Sequence, residues 1–173
     1  MRFLFCILLA SVPLTAQTAR PATAAKMLPP FSGTWVLNMQ RSKLTRRIEG
    51  ESKAIIQYDG KTWNYIHSHQ DQPDEEPEAW RITLIVNSAK LHTEPGEEIT
   101  FHSRIQQQGN AMLMSEWGQT QRGQRVRATT RYTLEDKGNT LIEAETSVGP
   151  LGPVKNLYIL EREGTGSLAA AAK

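Results

Sequence analysis

The sequence predicts an all-β protein, namely an antiparallel up-and-down β-barrel of about 8 to 10 strands. Apolar and polar residues mostly alternate between positions 31 and 162, as they do in strands that bury one face. Turn dipeptides, including Asp59-Gly60 and Gly109-Asn110, separate the alternating stretches. Closing such a meander into a barrel removes the exposed sheet edges, although a two-sheet sandwich fits the same alternation.

Length and composition indicate one globular domain. The chain has 173 residues, of which 39% are hydrophobic and 22% are charged, and chains of roughly 100 to 200 residues usually form a single core. The 20 Lys and Arg residues nearly balance the 18 Asp and Glu residues. We therefore expect no nucleic-acid partner and no general attraction to anionic surfaces, because both need an excess of positive charge.

The first residues are typical of a secretory signal peptide at 1–16. Arg2 precedes an apolar run that is too short to span a bilayer as a helix, and small residues follow it. Cleavage is expected after Ala16, or as late as Ala24. The only cysteine, Cys6, would be removed with this segment, so we expect an exported bacterial protein, periplasmic or secreted, that does not insert into a membrane after cleavage.

The remaining elements follow in order along the chain. Residues 17–30, rich in Ala, Thr and Pro, are expected to form a linker, 31–162 the barrel, and 163–173 a disordered tail. Residues 39–47 leave room for a short helix or an ordered loop. The predicted strands are 32–38, 52–58, 61–69, 79–87, 89–93, 97–107, 111–120, 124–135, 139–148 and 154–162.

The register of one hairpin follows from its turn. A type I turn at 136–138 with Gly138 in the left-handed position places Tyr132 opposite Ile142 on the inner side of the hairpin. Arg131 then meets Glu143 on the outer side. The same register predicts an outer arginine stripe whose charge is neutralised by two glutamates, the residues being Arg125, Arg127, Arg131, Glu143 and Glu145.

Gly33 and Trp35, at the head of the first strand, resemble the signature of the calycin superfamily, the lipocalins and their relatives. In that superfamily the Trp closes one end of the barrel, and a basic residue near the end of the last strand covers it. Arg162 stands where the resemblance would put that residue, and a guanidinium over an indole is a favourable contact. The resemblance implies a lipocalin-like barrel in which Gly33, Trp35 and Arg162 are structural.

The predicted function is the binding of a small, largely apolar molecule in the barrel interior, with no cofactor, by a monomer or weak oligomer. Tyr65, His67 and Arg104 would orient the ligand by polar contacts. The orientation of strand 111–117 stays open, because either Leu113 or the two flanking methionines could face inward. The candidate ligand contacts are Trp63, Tyr65, His67, Ile82, Leu84, Phe101, Arg104, Trp117 and Tyr132.

Two alternatives stay open beside this prediction. His67 and His69 share one face of a strand, and with His92 or His102 from a neighbouring strand they could bind zinc or ligate a haem iron. A filled core would instead indicate an interaction or inhibitor protein of the cell envelope. The sequence lacks the nucleophile elbow, the zinc motif H-E-x-x-H, C-x-x-C and the Gly-rich dinucleotide motif, so we expect no enzyme.

Overall fold

Ten antiparallel strands follow one another along the chain, close to the predicted positions. The structure, a computed structural model, describes residues 30–72, 75–96, 99–150 and 152–164. The predicted signal peptide, almost all of the predicted linker and the tail from residue 165 lie outside the described residues. The strands are β1 (Gly33–Leu37), β2 (Glu51–Tyr58), β3 (Thr62–Gln70), β4 (Glu78–Ile85), β5 (His92–Pro95), β6 (Ile99–Gln108), β7 (Ala111–Thr120), β8 (Arg125–Glu135), β9 (Thr140–Gly149) and β10 (Gly152–Arg162).

All ten strands belong to one sheet in the order β4-β3-β2-β1-β10-β9-β8-β7-β6-β5. The sheet consists of two meanders that are joined by the pairing of the first strand with the last. Asn87, just after the end strand β4, donates its N–H to Ile105 O (3.0 Å) and accepts at Oδ1 from Gln107 N (2.9 Å), so that β4 approaches β6, the neighbour of the other end strand β5. The fold is therefore a nearly closed up-and-down barrel and not a two-sheet sandwich.

Residues 39–47 form an ordered loop. The side-chain oxygen of Asn38 accepts hydrogen bonds from the N–H groups of Gln40 and Arg41, both at 3.1 Å. The chain then runs beside β10, where Lys43 pairs with Leu157. In the part of the chain that the structure describes, no helix has the length and hydropathy needed to cross a membrane.

The predicted register between β8 and β9 is wrong by one residue. Glu135 pairs with Thr140, so that residues 136–139 form a four-residue loop. A type I turn needs negative φ angles, whereas Asp136, Lys137 and Gly138 have φ values of 49°, 58° and 90°. Thr140 Oγ1 donates to Asp136 Oδ2 (2.6 Å) and supports this loop.

A shift of one residue turns every side chain of β9 to the opposite face. Tyr132 consequently lies opposite Glu143 on the inner face, and Arg131 lies opposite Ala144 on the outer face. Glu143 is only 6% exposed. The prediction that Glu143 and Glu145 neutralise the outer arginines is therefore wrong, because these glutamates point into the barrel.

The open orientation of β7 is also resolved. Met112 and Met114 are buried on the inner face, while Leu113 and Trp117 face outward. On β6, Ser103 and Ile105 are inside by the same alternation.

The base of the barrel is closed by the predicted contact between Trp35 and Arg162. These residues are paired across β1 and β10, and the guanidinium carbon lies 4.1 Å from the centroid of the fully buried indole. Arg162 also donates to three backbone carbonyl oxygens, those of Ser32 (2.8 Å), Pro30 (2.8 Å) and Gly138 (3.0 Å). One side chain thus ties together the start of β1, the end of β10 and the β8–β9 loop.

Gly33 is required by the same contact. Its φ of 152° is unfavourable for residues with a side chain. A Cβ at this position would also overlap the Arg162 guanidinium. The Gly-x-Trp pattern is therefore explained by the space that the arginine needs.

We expect Arg162→Met to lower the free energy of unfolding by about 2 to 4 kcal/mol, because three carbonyl groups lose a charged donor and the indole loses its cation. Urea unfolding followed by tryptophan fluorescence measures this change. Arg131→Met is the matched control, since Arg131 is exposed and its loss should cost about 0.5 kcal/mol or less. Equal losses in the two variants would contradict the proposed role of Arg162.

Candidate ligand cavity

The half of the barrel next to the base is filled with side chains. Trp63 is fully buried, and its ring centroid lies 5.6 Å from that of Phe31, 5.8 Å from that of Tyr58 and 5.3 Å from that of Tyr132. Ile82 and Leu84 on β4 are buried in the same core. The structure places these predicted ligand contacts, Trp63, Ile82 and Leu84, in the packed core below the cavity.

Above this core lies an inner cavity of about 220 Å³. Strands β2, β3, β7, β8, β9 and β10 all contribute to its wall, because their inward positions converge at this height. Aromatic and acidic side chains dominate the wall, which includes Tyr65, Tyr132, Tyr158, Glu116, Glu143 and Glu145.

Glu143 is the most deeply buried carboxyl group in this wall. The Tyr65 hydroxyl donates to it and lies 3.3 Å from each carboxylate oxygen. Burial raises the pKa of Glu143 to about 8, while the bond from Tyr65 opposes the shift and the charge of Glu145 adds to it. Glu143 is therefore mostly protonated at neutral pH, and it can both donate and accept a hydrogen bond.

Glu145 and Glu116 extend the acidic wall. Glu145 Oε2 accepts hydrogen bonds from Tyr158 Oη (3.1 Å) and Asn156 Nδ2 (3.0 Å). Ser103 Oγ donates to Glu116 Oε1 (3.3 Å), and burial raises the pKa of Glu116 above its usual range. The wall thus holds three carboxyl groups, and none of the residues that line this cavity is Lys or Arg.

His67 lies at the upper end of the cavity with both ring nitrogens hydrogen bonded. Its Nδ1 accepts from Trp80 Nε1 (3.1 Å), so its proton is assigned to Nε2, which lies 2.8 Å from Ser52 Oγ. Burial lowers the pKa of His67, with a further contribution from His69. The ring is therefore neutral at pH 7 and acts as a polar rim group.

A second pocket of about 590 Å³ opens above the first. The two share three residues of their walls, Ile48, His67 and Trp80. Trp80 is 48% exposed, and its ring centroid is 5.4 Å from that of Tyr65. The outer pocket therefore forms the mouth of the acidic inner cavity, and Trp80 supplies an aromatic surface in its wall.

Three predicted ligand contacts lie elsewhere. Arg104 and Trp117 are on the outer face of β6 and β7, where the Arg104 guanidinium carbon is 5.7 Å from the Trp117 ring centroid. The prediction of interior contacts is wrong for these two residues. On β6 and β7, the side chains that point into the barrel are instead those of Ser103, Ile105 and the two methionines. Phe101 alternates in step with the inward-facing residues of β6, but it lies near the open end of the barrel and is 37% exposed.

The histidine cluster of the metal alternative does not assemble. The neighbours of β3 are β2 and β4, and neither strand contains a histidine. His102 lies on β6, where its Nδ1 is 3.0 Å from Thr93 Oγ1. His69 Nε2 is 2.7 Å from Asp71 Oδ1. Among the described residues, no group of three or more His, Cys, Asp or Glu side chains is arranged to hold a metal ion.

Sequence reasoning missed the acidic side of the cavity, because it places Glu143 and Glu145 on the outer face of the barrel. A signal was present: Glu143, Glu145 and Ser147 alternate with the apolar Ile142, Ala144 and Val148, so either set could be inside. The apolar set was the natural choice. Buried glutamates become the better solution only where tyrosine hydroxyls from other strands can meet them.

We expect Glu143→Gln to change how stability depends on pH. The carboxyl group ionises near 4.5 in the unfolded chain and near 8 in the barrel, so unfolding releases a proton between these values. The wild-type protein therefore loses stability as pH rises through this window, by up to about 1.4 kcal/mol per pH unit from this group. Glutamine removes that contribution, so the variant should gain stability relative to wild type as pH rises.

Urea unfolding of both proteins across this pH window measures the difference. The exposed Glu135→Gln variant is the control and should run parallel to wild type. A gap between wild type and Glu143→Gln that is constant with pH would show that Glu143 is not held protonated in the fold.

Comparison with known proteins agrees with the barrel architecture. No protein-family model matches the chain, and no curated protein matches it. Lipid binding protein 8 of Caenorhabditis elegans is similar in structure, with a TM-score of 0.52 and 14% identity over 78% of this chain and 96% of that chain. Zebrafish ileal bile acid-binding protein, in complex with cholic acid, has a TM-score of 0.50 and 10% identity over 77% of this chain and 98% of that chain. These likenesses show the fold, an antiparallel β-barrel, which is the fold class that the sequence predicted.

Proposed function

We propose that this protein binds a small molecule inside its barrel and performs no chemistry on it. The observation that carries the proposal is the acidic and aromatic inner cavity, which shares its upper wall with an outer pocket. Buried carboxyl groups cost free energy unless something compensates them, and a bound ligand is one such compensation. The names of the two similar barrels, which refer to lipid and bile acid binding, support a ligand-binding role.

The wall suggests a ligand with an apolar or aromatic body and one end that donates hydrogen bonds, such as an amine. Trp80 and Tyr65 offer flat apolar surface along the route inward, and burial of apolar area contributes roughly 25 cal/mol per Å². Glu145 and Glu143 can then accept hydrogen bonds from the polar end. Ammonium groups are also attracted to the faces of Tyr and Trp rings. A carboxylate-bearing ligand would meet like charge.

Binding of two dansyl compounds with the same fluorophore tests this proposal. Dansylcadaverine carries an ammonium group and dansyl aminohexanoate a carboxylate. We expect saturable binding of the first, about 10-fold or more tighter than that of the second, because only the first can pair with Glu145. Dansyl emission and quenching of tryptophan fluorescence report the two affinities.

The double variant Glu143→Gln/Glu145→Gln should remove the preference for the cationic probe. Glu76→Gln/Glu135→Gln makes the same two substitutions at exposed positions and should leave the preference unchanged. If neither probe binds, the interior is not a ligand site. If both probes bind equally to wild type, the barrel binds ligands but the proposed donor-bearing class is wrong.

We further propose that the protein is exported by a signal peptide at 1–16, as its N-terminal sequence suggests. Expression of the whole chain in a bacterium should yield a periplasmic or secreted protein that starts at Gln17, or at Ala25 if the later site is cut. Intact mass measurement identifies the first residue. Leu8→Arg, which interrupts the apolar run, should keep the protein unprocessed, whereas an unprocessed wild type would contradict export by this route.

A further inference from the structure

Toward the open end of the barrel, the outer face of β6 to β10 carries positive charge, whereas its two outward glutamates, Glu135 and Glu161, lie in the row nearest the base. With the corrected β9 register, the outward positions form rows across the strands, and the cations in these rows are Arg104, Arg125, Arg127, Arg131 and Lys155. The other outward positions from Thr100 to Gln106, Leu113 to Gln119, Ala144 to Val148 and Pro153 to Leu157 are uncharged polar, aromatic or apolar residues, with His102 among them. We call this surface the basic face.

The basic face is not neutralised by the protein itself. Its expected partners, Glu143 and Glu145, lie inside the barrel. In the described ranges, the ion pairs involve Arg41, Lys53 and His69, and none includes an arginine of the basic face. All four of these arginines are exposed. Their charge is thus available to a partner.

Apolar side chains accompany the charge near the open end of the barrel. One row runs from Trp117 on β7 through Arg127 on β8 to Val148 on β9. Val148 is 50% exposed, and the centroid of the Trp117 ring lies 6.0 Å from that of His102 and 5.7 Å from the Arg104 guanidinium carbon. In this row, the Arg127 guanidinium therefore has a partly exposed indole on one side and an exposed valine on the other.

We propose that the basic face docks on the surface of an anionic phospholipid bilayer. Guanidinium groups bind phosphate oxygens with two parallel hydrogen bonds, and tryptophan is favoured at the headgroup level of membranes. A lipid surface can meet arginines on several neighbouring strands at once. This inference does not depend on what the barrel interior binds.

A bilayer fits these observations better than a nucleic acid or an acidic protein. The cations are spread over β6, β8 and β10 and separated by Thr and Ser side chains, without the dense cationic track that follows a nucleic-acid backbone. An interface with a protein usually centres on a deeply buried aromatic or arginine anchor. The mixed row of Trp117, Arg127 and Val148 instead matches the composition of the interfacial zone of a membrane.

Vesicle sedimentation tests the proposal. The purified protein should bind vesicles of phosphatidylcholine with phosphatidylglycerol at low salt and should not bind vesicles of phosphatidylcholine alone. Arg104→Gln/Arg125→Gln/Arg127→Gln should weaken binding by about 100-fold, as expected for the loss of three cations. Arg46→Gln/Lys61→Gln/Lys90→Gln removes the same charge at exposed sites off the basic face and should weaken binding much less.

Tryptophan emission identifies the face that touches the lipid. A blue shift on addition of anionic vesicles should disappear in Trp117→Phe and persist in Trp80→Phe, because Trp80 lines the mouth of the barrel. Failure to bind anionic vesicles, or equal losses in the two triple variants, would overturn the proposal. Binding of heparin, a soluble polyanion, without binding of vesicles would also overturn it, in favour of a polymeric anion.

Discussion

The pairing of the first strand with the last is the constraint on which the architecture depends. It joins two meanders into one sheet of ten strands, and Arg162 strengthens the junction where β1, β10 and the β8–β9 loop meet. Because Trp35 lies directly opposite Arg162, this contact also fixes the register of β1 against β10. Inward and outward positions are then set on the adjacent strands by alternation. The positions of the carboxyl groups that line the inner cavity, above the base of the barrel, depend on that register.

Much of the fold is predictable from sequence because its determinants are local. Alternation and turn residues lie close together in the chain, and they predicted ten strands, of which β5 shares only two residues with its predicted range of 89–93. The contact of Trp35 with Arg162 was predictable by resemblance. The inner face of β9 was not, because it depends on a loop with three successive positive φ angles and on Tyr65, which is 78 residues away from Glu143 in sequence. Alternation shows that two faces differ, and tertiary contacts decide which of them is buried.

The same change of register alters the meaning of the net charge. A formal charge of +2 suggests a protein without electrostatic preferences. The structure instead separates negative from positive charge. Glu116, Glu143 and Glu145 line the inner cavity, while the basic face covers the outer side of the same barrel wall. Overall charge governs behaviour at long range, whereas the sorting of charge between faces governs contacts within a Debye length, about 8 to 10 Å at physiological salt.

The order of the strands has a consequence for synthesis of the chain. β1 is made before every other strand, and its partner β10 is made last. Until the ribosome has passed residue 162, β1 has only β2 beside it, and Trp35 lacks the cation that covers it. Hairpins can form early, yet the barrel closes only when β1 pairs with β10. Strands that are so far apart in sequence pair slowly. A premature stop ahead of Arg162 would therefore leave an open sheet with an uncovered interior, and such a truncated chain would be a substrate for chaperones or proteases.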